Sequence, residues 1–522
     1  MAVNLLLTSL ENFNGTPTFV SNNPRYGGGQ GASVNTDIIR EGTQSGGRRA
    51  DNTATGGLGV NVGPVDLSGA GQHIKAWVSI TQWSQLTTLG LVIASGSNAN
   101  AGDIHTVPTA NWPVNFGFIP VWVDVSRVAE SGGPANEASI NEVGVQVNIG
   151  DVGGNAQNVI LDQIHHGTSG LEWVGTGGDF SDFRTYEDTN DIGVFLTQNG
   201  IDFLYSRLEI GDSGGTLTDF NASDFSIAIP DQPLVSTTFM GLTFHLTNAS
   251  NDFQLSNGTI QSSNPASASR RPDLIVSGTS GTMTLTSVNL LGMRTIDLTS
   301  AVTVTDGIFD CVALTQGSAS LTGTTVQCRS ASGVAVLDDP TMANLDDITW
   351  NQAGSGHAIE FGASFAGTTV TLTRQFFSGF GGTAGSNPTP NSGANDAAIY
   401  NNSGGNIDFA IVDGDTPSIR NGASSTSTAT NSKTLTFTGV PNGLEGRVRV
   451  GSISLFAVAS ITGNQFQYSY DAADAGDVVT VSIGGVADDN NAYERIRRDI
   501  TLSIDSQTIP LAFDLNPSYS AS

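Results

Sequence analysis

Charged side chains are scarce in this 522-residue chain, and lysine is almost missing. Asp, Glu, Lys and Arg together make up 13% of the residues, and only Lys75 and Lys433 are lysines. A chain so poor in strong helix formers is not expected to build long helices, coiled coils or helical repeats. Its 48 acidic residues outnumber its 20 basic ones, which gives a net charge of −28. This charge repels phosphate backbones, so nucleic acid is not expected as a partner.

Long apolar runs are missing as well. No apolar stretch approaches the roughly 18 residues of a membrane-spanning helix. The first ten residues hold only the short apolar run Leu5–Leu7, with no basic residue before it. The sequence therefore predicts neither a membrane span nor a secretory signal. Two cysteines, Cys311 and Cys328, are too few for a disulfide framework, which is typical of proteins assembled in a reducing cytoplasm.

Glycine is abundant, with 64 residues that lack the three-residue period of collagen. Together with Ser, Thr and Asn it favours turns and the polar faces of strands, so an all-β fold is expected. Short alternating segments fill residues 1–175, as in 73–80, where Ile74, Ala76, Val78 and Ile80 fall on one face. Such segments between turns predict an antiparallel β-sandwich of the jelly-roll or lectin-like type over residues 1–175.

Residues 176–420 carry a loose repeat. An aliphatic residue, usually followed by Ser or Thr, precedes a second apolar residue, as in Leu285–Val288, and the unit recurs at intervals of 17 to 30 residues. Irregular spacing without room for amphipathic helices predicts a right-handed parallel β-helix, in which inward aliphatic side chains stack from coil to coil. Aligning two repeats places Cys311 and Cys328 at the same position, which predicts a buried pair of stacked thiols.

Residues 421–432 are polar and of low complexity, and we interpret them as a linker. Alternation returns in residues 433–522, which predicts a small Ig-like β-sandwich. Five of the eighteen arginines lie there, which favours docking of an acidic partner or a neighbouring copy on this segment. The candidate docking residues are Arg447, Arg449, Arg495, Arg497 and Arg498.

No metal or cofactor is expected. His165 and His166 are adjacent, so on a strand they point to opposite faces, and no Cys or acid lies at ligand spacing. Asp338–Asp339 and Asp413–Asp415 resemble fragments of calcium loops without the remaining ligands, and turn-forming Asp explains both. No Gly-x-Ser-x-Gly motif lies between a strand and a helix, and a Ser-His-Asp triad cannot be inferred from abundant serine.

Carboxylate pairs are the remaining candidates for catalysis. Glycoside hydrolysis uses two carboxylates roughly 5 to 10 Å apart, and Asp306 on one coil with Asp346 or Asp347 two coils on would meet that demand. With 48 acidic residues chance pairs are expected, so solvation of the outer face is the favoured interpretation. Trp112, which precedes Pro113 in a predicted loop, is the candidate for stacking against a carbohydrate.

Three segments carry a resemblance to a known family: Leu10–Gly15, Asn158–Gly167 and Tyr493–Pro510. They resemble virion structural proteins of tailed bacteriophages. The resemblance implies a lectin-like sandwich, a β-helix and a small C-terminal β-domain. It also implies a virion surface component that is assembled in the host cytoplasm and is commonly homotrimeric.

The sequence thus predicts a non-enzymatic virion protein, either a capsid decoration or fibre or a tail-associated spike. Its role would be particle reinforcement or attachment to the host surface. The expected partners are further copies of the chain, the major capsid or tail proteins, and host glycans. The alternative is a tailspike depolymerase, a glycosidase or lyase that cleaves host polysaccharide on the β-helix.

Overall fold

The computed structural model describes residues 2–515, with gaps at 21–25, 27–31, 36–39, 41–43, 51–54, 70, 96–101, 108–116, 126–130, 134, 150–156, 231–240, 264–270, 382–395 and 489–490. Strands dominate these residues, and they contain one α-helix. The predicted all-β class is therefore confirmed. No helix in the described part of the chain combines the length and apolar character needed to cross a membrane. The chain divides into two compact units, Met1–Arg329 and Ser330–Ser522.

The first unit begins with thirteen strands. They are β1 (Val3–Leu5), β2 (Thr8–Glu11), β3 (Ser33–Asn35), β4 (Ser45–Ala50), β5 (Thr55–Val65), β6 (His73–Ile80), β7 (Leu86–Ala94), β8 (Gly102–Thr106), β9 (Phe118–Asp124), β10 (Ser131–Gly133), β11 (Ile140–Ile149), β12 (Gln157–Gly167) and β13 (Leu171–Trp173). Strands β10-β8-β7-β11-β5 form one antiparallel sheet. Strands β3-β4-β12-β6-β9 form another, with β2 paired to β12. Apolar side chains from both sheets share one core, as a sandwich requires.

Strand β6 is buried on both faces, although its alternation predicts one solvent face. The predicted face, with Ile74 and Val78, joins the sandwich core. The other face contacts the segment that follows the sandwich: the Trp77 Nε1–H donates to the Asp191 carbonyl at 3.1 Å, and Lys75 Nζ donates to the Ile192 carbonyl. Polar side chains on this face thus bind backbone acceptors, and the sandwich is fixed to the next part of the unit.

Helix α1 (Phe180–Asn190) follows the sandwich. Its N-terminus has a capping box, because the Asp179 carboxylate accepts the Ser181 N–H at 2.6 Å and the Asp182 carboxylate accepts the Asp179 N–H at 3.0 Å. Phe180 and Phe183 pack into a cluster of aromatic side chains with Phe195, Phe220 and Phe225. The helix therefore covers the first coils, as terminal caps do in stacked-repeat proteins.

Short strands follow through the rest of the unit, and after a first antiparallel pair they stack in parallel. They are β14 (Phe195–Gln198), β15 (Ile201–Leu204), β16 (Leu208–Ile210), β17 (Asp219–Ser223), β18 (Ser226–Ile229), β19 (Gly241–His245), β20 (Asp252–Ser256), β21 (Thr259–Ser262), β22 (Asp273–Ser277), β23 (Thr282–Thr286), β24 (Asn289–Asp297), β25 (Val302–Thr305), β26 (Ile308–Thr315), β27 (Ser320–Thr322) and β28 (Thr325–Cys328). Three ladders run along the stack: β16-β19-β22-β24-β26-β28, β15-β18-β21-β24 and β17-β20-β23-β25-β27.

Such parallel pairing is one requirement of a parallel β-helix, and the right-handed parallel β-helix itself stays a prediction. Cys311 and Cys328 are register partners on β26 and β28, and both are buried, free thiols. Burial raises the pKa of both thiols, so neither is a thiolate at neutral pH. The predicted thiol stack is confirmed. Strand β1 pairs with β13, which in turn pairs with β16, so the start of the chain belongs to this stack and not to the sandwich.

The second unit contains the remaining strands. They are β29 (Ala335–Asp338), β30 (Leu345–Asp346), β31 (Ile348–Gln352), β32 (His357–Phe361), β33 (Thr369–Thr373), β34 (Gln375–Ser378), β35 (Ile399–Asn401), β36 (Asn406–Val412), β37 (Ile419–Asn421), β38 (Thr426–Thr438), β39 (Glu445–Val450), β40 (Ile453–Val458), β41 (Gln465–Asp471), β42 (Val478–Asp488), β43 (Asn491–Thr501) and β44 (Gln507–Pro510). Parallel pairs continue here, as β29-β32-β35-β37, β31-β34 and β33-β36-β38.

The linker interpretation of residues 421–432 is corrected by strand β38. Its first half, 426–432, pairs in parallel with β36, and its second half, 432–438, pairs antiparallel with β41. One continuous strand therefore joins the coils to the C-terminal sandwich, whose other sheet is β40-β39-β42-β43. Thr426, Thr428 and Thr430 alternate along this segment, and Thr has good strand propensity, which explains why a low-complexity sequence is regular here. Asn431, which is buried, donates to Gly414 and Thr416.

Candidate active site

The predicted catalytic acids all lie at turns or in ion pairs. Asp306 follows β25 and Asp347 follows β30, and both have a left-handed backbone with φ of 56°. Asp is among the few residue types that adopt this conformation readily, so a turn explains both positions. Asp346 forms an ion pair with Arg374 on the surface. Asp306 belongs to the first unit and the other two acids to the second, so their pairing stays a prediction.

Asp346 also lines an open groove of about 570 Å³. The groove is walled by Phe361, Phe365, several threonines and a short apolar segment, and Asp346 is the acidic residue among its lining side chains. A single carboxylate that is paired with an arginine lacks the second acid that glycoside hydrolysis uses. The groove therefore offers a binding surface and not a complete catalytic pair.

The remaining sequence candidates have separate positions. Trp112 lies outside the described residues. His165 and His166 lie on β12, and burial lowers the pKa of His165 to about 4. Asp413 and Asp415 both accept hydrogen bonds from other parts of the chain. The Asp413 carboxylate accepts the Ser506 hydroxyl, and the Asp415 carboxylate accepts the Phe377 N–H at 3.0 Å. No group of three or more His, Cys, Asp or Glu side chains in the described ranges is arranged to hold a metal ion.

Four of the five candidate docking arginines share one face of the sheet β40-β39-β42-β43. Arg447, Ser482 and Arg497 are aligned across three of its strands, and Arg449 and Arg495 lie on the same side. Two of these arginines already have an acidic partner, because Glu445 forms ion pairs with Arg447 and Arg495. Arg498 is opposite Val481, which is buried, so it lies on the other face.

A pair of carboxylates that the sequence does not single out lies on neighbouring coils of the second unit. Asp338 on β29 is the register partner of Glu360 on β32, and the ladder continues through Tyr400 on β35 to Arg420 on β37. Neighbouring strands are about 4.8 Å apart, so consecutive members of this row are close. We call these four residues the outer row. Its inward neighbours are apolar, since Leu337, Ile359 and Ile399 are buried.

A local irregularity in β32 brings His357 to the same side as Glu360. The backbone N–H groups of Ala358 and Ile359 both donate to the Ala398 carbonyl, at 3.0 and 3.2 Å, which disturbs the regular alternation. The His357 Nε2 atom therefore lies 3.2 Å from Glu360 Oε2, although the two residues are three apart on a strand. The imidazole is fully buried beneath the row.

Glu360 is held by two side chains. The Asn402 amide donates to its Oε1 atom at 3.0 Å, and His357 faces its Oε2 atom. Beneath them, Asp396 accepts two hydrogen bonds from Arg420, at 2.9 and 3.1 Å, and lies 3.4 Å from His357 Nδ1. Burial acts to raise the pKa of Asp396, but other contacts outweigh it and the pKa is lowered. These contacts are the hydrogen bonds from His357 and from a backbone N–H, and the charge of Arg420.

Arg420 also fixes the aromatic member of the row. Its guanidinium lies 3.6 Å from the centroid of the Tyr400 ring, and His357 meets that ring edge-on with centroids 5.3 Å apart. The Tyr400 hydroxyl donates to Asn402 at 3.2 Å. Tyr400 and Asn402 are thus positioned beside Glu360 by a rigid set of buried contacts, which is how preorganised sites are built.

Asp338 has a different environment from Glu360. Desolvation beside the sheet and the negative charge of Glu360 raise the pKa of Asp338, and His357 opposes that shift. Asp338 thus has a raised pKa, whereas Glu360 accepts hydrogen bonds from its neighbours. Two carboxyls in such different environments can divide the roles of general acid and of nucleophile or base. The pair has the chemistry that glycosidic bond cleavage needs.

Sequence signals for this site are weak. Asp338 resembles a calcium-loop fragment next to Asp339, whose carboxylate instead accepts the Gly362 N–H at 2.6 Å. Glu360 lies in the segment 358–361, which we recognise from its aliphatic residues and not from its acid. Only the registers β29-β32 and β32-β35 place these residues in one row.

No family model and no curated protein matches the chain. Among solved structures, an exo-β-agarase matches with 14% identity, a TM-score of 0.22 and coverage of 31% of this chain and 24% of that one. PfGH50B matches with 10% identity, a TM-score of 0.18 and coverage of 26% and 22%. The catalytic domain of a GH87 α-1,3-glucanase in complex with nigerose matches with 10% identity, a TM-score of 0.17 and coverage of 79% and 84%.

The chain spans about a quarter of the length of the first two structures. TM-scores at this level transfer neither a fold nor an activity to it. The descriptions nevertheless include an agarase and a glucanase, which are polysaccharide-cleaving enzymes. The expectation of a non-enzymatic protein is therefore corrected, and it is not retained.

Proposed function

We propose that this protein hydrolyses glycosidic bonds of a polysaccharide at the outer row of the second unit. The observation that carries the proposal is the register pairing of Asp338 with Glu360 on neighbouring parallel strands. A backbone spacing of about 4.8 Å favours the short carboxyl separation, about 5 to 5.5 Å, of enzymes that retain anomeric configuration.

Asp338 is the general acid in this proposal, because its raised pKa keeps a proton available for the leaving oxygen. Glu360 is the nucleophile, held in place by Asn402 and His357. Tyr400 continues the row and offers an aromatic edge to the neighbouring sugars, while the buried Arg420 holds its ring in place. Activity is expected to fall as the pH rises through the pKa of Asp338, since the acid must be protonated.

The test compares the full chain with Asp338→Asn and Glu360→Gln on a panel of bacterial capsular polysaccharides, agarose and an α-1,3-glucan. Release of reducing ends should fall by at least about 100-fold in each variant. Asp408→Asn is the matched control, because Asp408 is an exposed acid in the same unit that accepts from Asn406. Its activity should equal that of the wild type.

Three results would argue against this proposal. Full activity in both variants would remove the outer row from the mechanism. Unsaturated product ends would indicate a lyase in place of a hydrolase. An absence of new reducing ends across the whole panel, with the folded protein verified by circular dichroism, would count against the activity itself.

We also propose that this activity serves a bacteriophage tail-associated spike that cleaves host polysaccharide during attachment. The sequence resemblance supports the virion location, and the arginines on one sheet face support docking. In a chain with a net charge of −28, the basic face of β39 and β43 fits an acidic surface, including another copy. We propose a homotrimer that contacts other virion proteins.

A further inference from the structure

A second polar cluster lies on three successive parallel strands of the first unit. Glu209 on β16, His245 on β19 and Ser277 on β22 follow one another across the ladder, and His245 and Ser277 are register partners. The His245 Nδ1 atom lies 2.8 Å from Ser277 Oγ, and its Nε2 atom lies 2.6 Å from Glu209 Oε2. The three side chains thus form a continuous chain of hydrogen bonds from hydroxyl to imidazole to carboxylate.

The surroundings of Glu209 fix the direction of these hydrogen bonds. Burial acts to raise the pKa of Glu209, but other contacts outweigh it and the pKa is lowered. These contacts are the hydrogen bonds from His245 and Ser169 and the charge of Arg207. The Ser169 hydroxyl donates to Oε1 at 2.5 Å, and Arg207 Nε lies 3.3 Å from the same atom. An ionised Glu209 accepts the Nε2–H of His245, so the Nδ1 lone pair faces the hydroxyl of Ser277.

This direction is the one that activates a serine. A serine nucleophile points its proton at the imidazole that acts as its base. A carboxylate orients the imidazole through the other ring nitrogen. The Phe244 carbonyl is a more distant acceptor for the same hydroxyl, at 3.3 Å. Both side chains also contact solvent in part, since Ser277 is half-buried and the His245 side chain is 16% exposed.

We propose that Ser277, His245 and Glu209 form a second active site, which hydrolyses carboxylic esters. Ser277 Oγ attacks the acyl carbon while His245 Nδ1 takes its proton, and Glu209 holds the resulting imidazolium. The same proton passes to the leaving alcohol, and the acyl group stays on Ser277. Water then attacks the acyl carbon and gives a proton to Nδ1, and as the acyl C–O bond breaks this proton passes back to Ser277 Oγ, which releases the carboxylic acid and the free serine.

The substrate class is O-acyl groups on polysaccharides. This choice of substrate rests on the proposed function, whereas the ester chemistry rests on the cluster alone. An enzyme that cleaves a decorated glycan gains access to its backbone when acyl groups are removed, and both sites then act on one substrate.

The first experiment tests the ester chemistry without a glycan. The full chain is treated with a fluorophosphonate and digested, and mass spectrometry locates the adduct, which we expect on Ser277. Ser277→Ala should abolish the label and lower kcat for p-nitrophenyl acetate by at least about 100-fold. Ser256→Ala is the matched control, because Ser256 is a half-buried serine on the coil strand β20, and it should label as the wild type does.

Glu209 is a positioning residue in this proposal, so its variant needs a specific readout. Glu209→Gln should slow fluorophosphonate labelling and lower kcat for p-nitrophenyl acetate while KM stays unchanged. His245→Gln should abolish labelling. A purely structural role of Glu209 would lower the melting temperature without this selective loss of kcat.

The second experiment separates the two sites. Acetate release from an O-acetylated capsular polysaccharide should be lost in Ser277→Ala and kept in Asp338→Asn. Reducing-end release from the same polysaccharide after chemical deacetylation should be kept in Ser277→Ala and lost in Asp338→Asn. Ester hydrolysis without glycosidic cleavage would overturn the proposed function alone. Absence of an adduct on Ser277, or an equal rate of p-nitrophenyl acetate hydrolysis in Ser277→Ala, would overturn the second site.

Discussion

His73 is a buried histidine that stays neutral in the folded protein. Its Nε2 atom lies 2.9 Å from the Ser206 hydroxyl, and its ring meets Trp122 edge-on with centroids 4.8 Å apart. Burial lowers the pKa of His73 to about 3. The charges of Arg207 and Lys75 also lower this pKa, whereas a backbone hydrogen bond to Gly71 acts to raise it. An imidazole that cannot take up a proton in the fold makes stability depend on pH.

The sign of that dependence follows from proton uptake. Below pH 6.5 the unfolded chain protonates His73 and the folded chain does not, so acid favours unfolding until about pH 3. Between pH 8 and pH 5 this single group should cost about 2 kcal/mol of unfolding free energy.

Urea unfolding at pH 8 and pH 5 measures this difference. His73→Gln should lose about 2 kcal/mol less than the wild type over that interval, whereas Ser206→Ala keeps the imidazole and should keep the full dependence. Equal pH dependence in the wild type and His73→Gln would show that His73 is protonated in the folded state.

Helix α1 is the element whose local sequence specifies its start most directly. Loss of the Asp179 side chain removes the bond to the Ser181 N–H, so Asp179→Ala should lower the free energy of unfolding by about 1 kcal/mol. Asp188→Ala is the control, because Asp188 is exposed on the same helix and its loss should change stability by less than about 0.5 kcal/mol. Urea midpoints of the two variants test this, and equal midpoints would contradict a contribution from the cap.

Strand periodicity could be predicted from the sequence, but partners across the chain could not. Alternation in 73–80 correctly places Ile74 and Val78 in a core, because side chains on a strand alternate between faces. The burial of Lys75 on the opposite face depends on a segment more than 100 residues away. Similarly, the composition of 421–432 indicates a linker, whereas pairing with β36 makes it a strand.

The candidate sites show the same division between local and long-range information. Asp306, Asp346 and Asp347 stand out in the sequence because each lies beside a repeated aliphatic unit. Asp338 and Glu360 become a pair only through the register of β29 with β32, and two other strands lie between these in the chain. The cluster of Glu209, His245 and Ser277 joins residues more than 30 positions apart, so no short motif contains it.

At the scale of the whole molecule, charge is distributed unevenly. The chain has a net charge of −28, yet Arg447, Arg449, Arg495 and Arg497 lie on one face of a sheet, where Glu445 pairs with two of them. Exposed apolar side chains occur on the neighbouring strand β40, where Ile453 is 65% exposed and Leu455 is 45% exposed. Apolar side chains next to a basic row are typical of a surface that another protein covers.

Self-association through this face should depend on both charge and salt. Light scattering of the full chain at low ionic strength should give the mass of a trimer. Arg447→Gln combined with Arg497→Gln should lower that mass, as should 0.5 M salt, since screening shortens the range of these attractions to a few ångströms. Arg498→Gln is the control, because Arg498 lies on the other face of the same strand and its loss should leave the mass unchanged. A monomeric wild type, or a double variant with the wild-type mass, would mean that this face does not join copies of the chain.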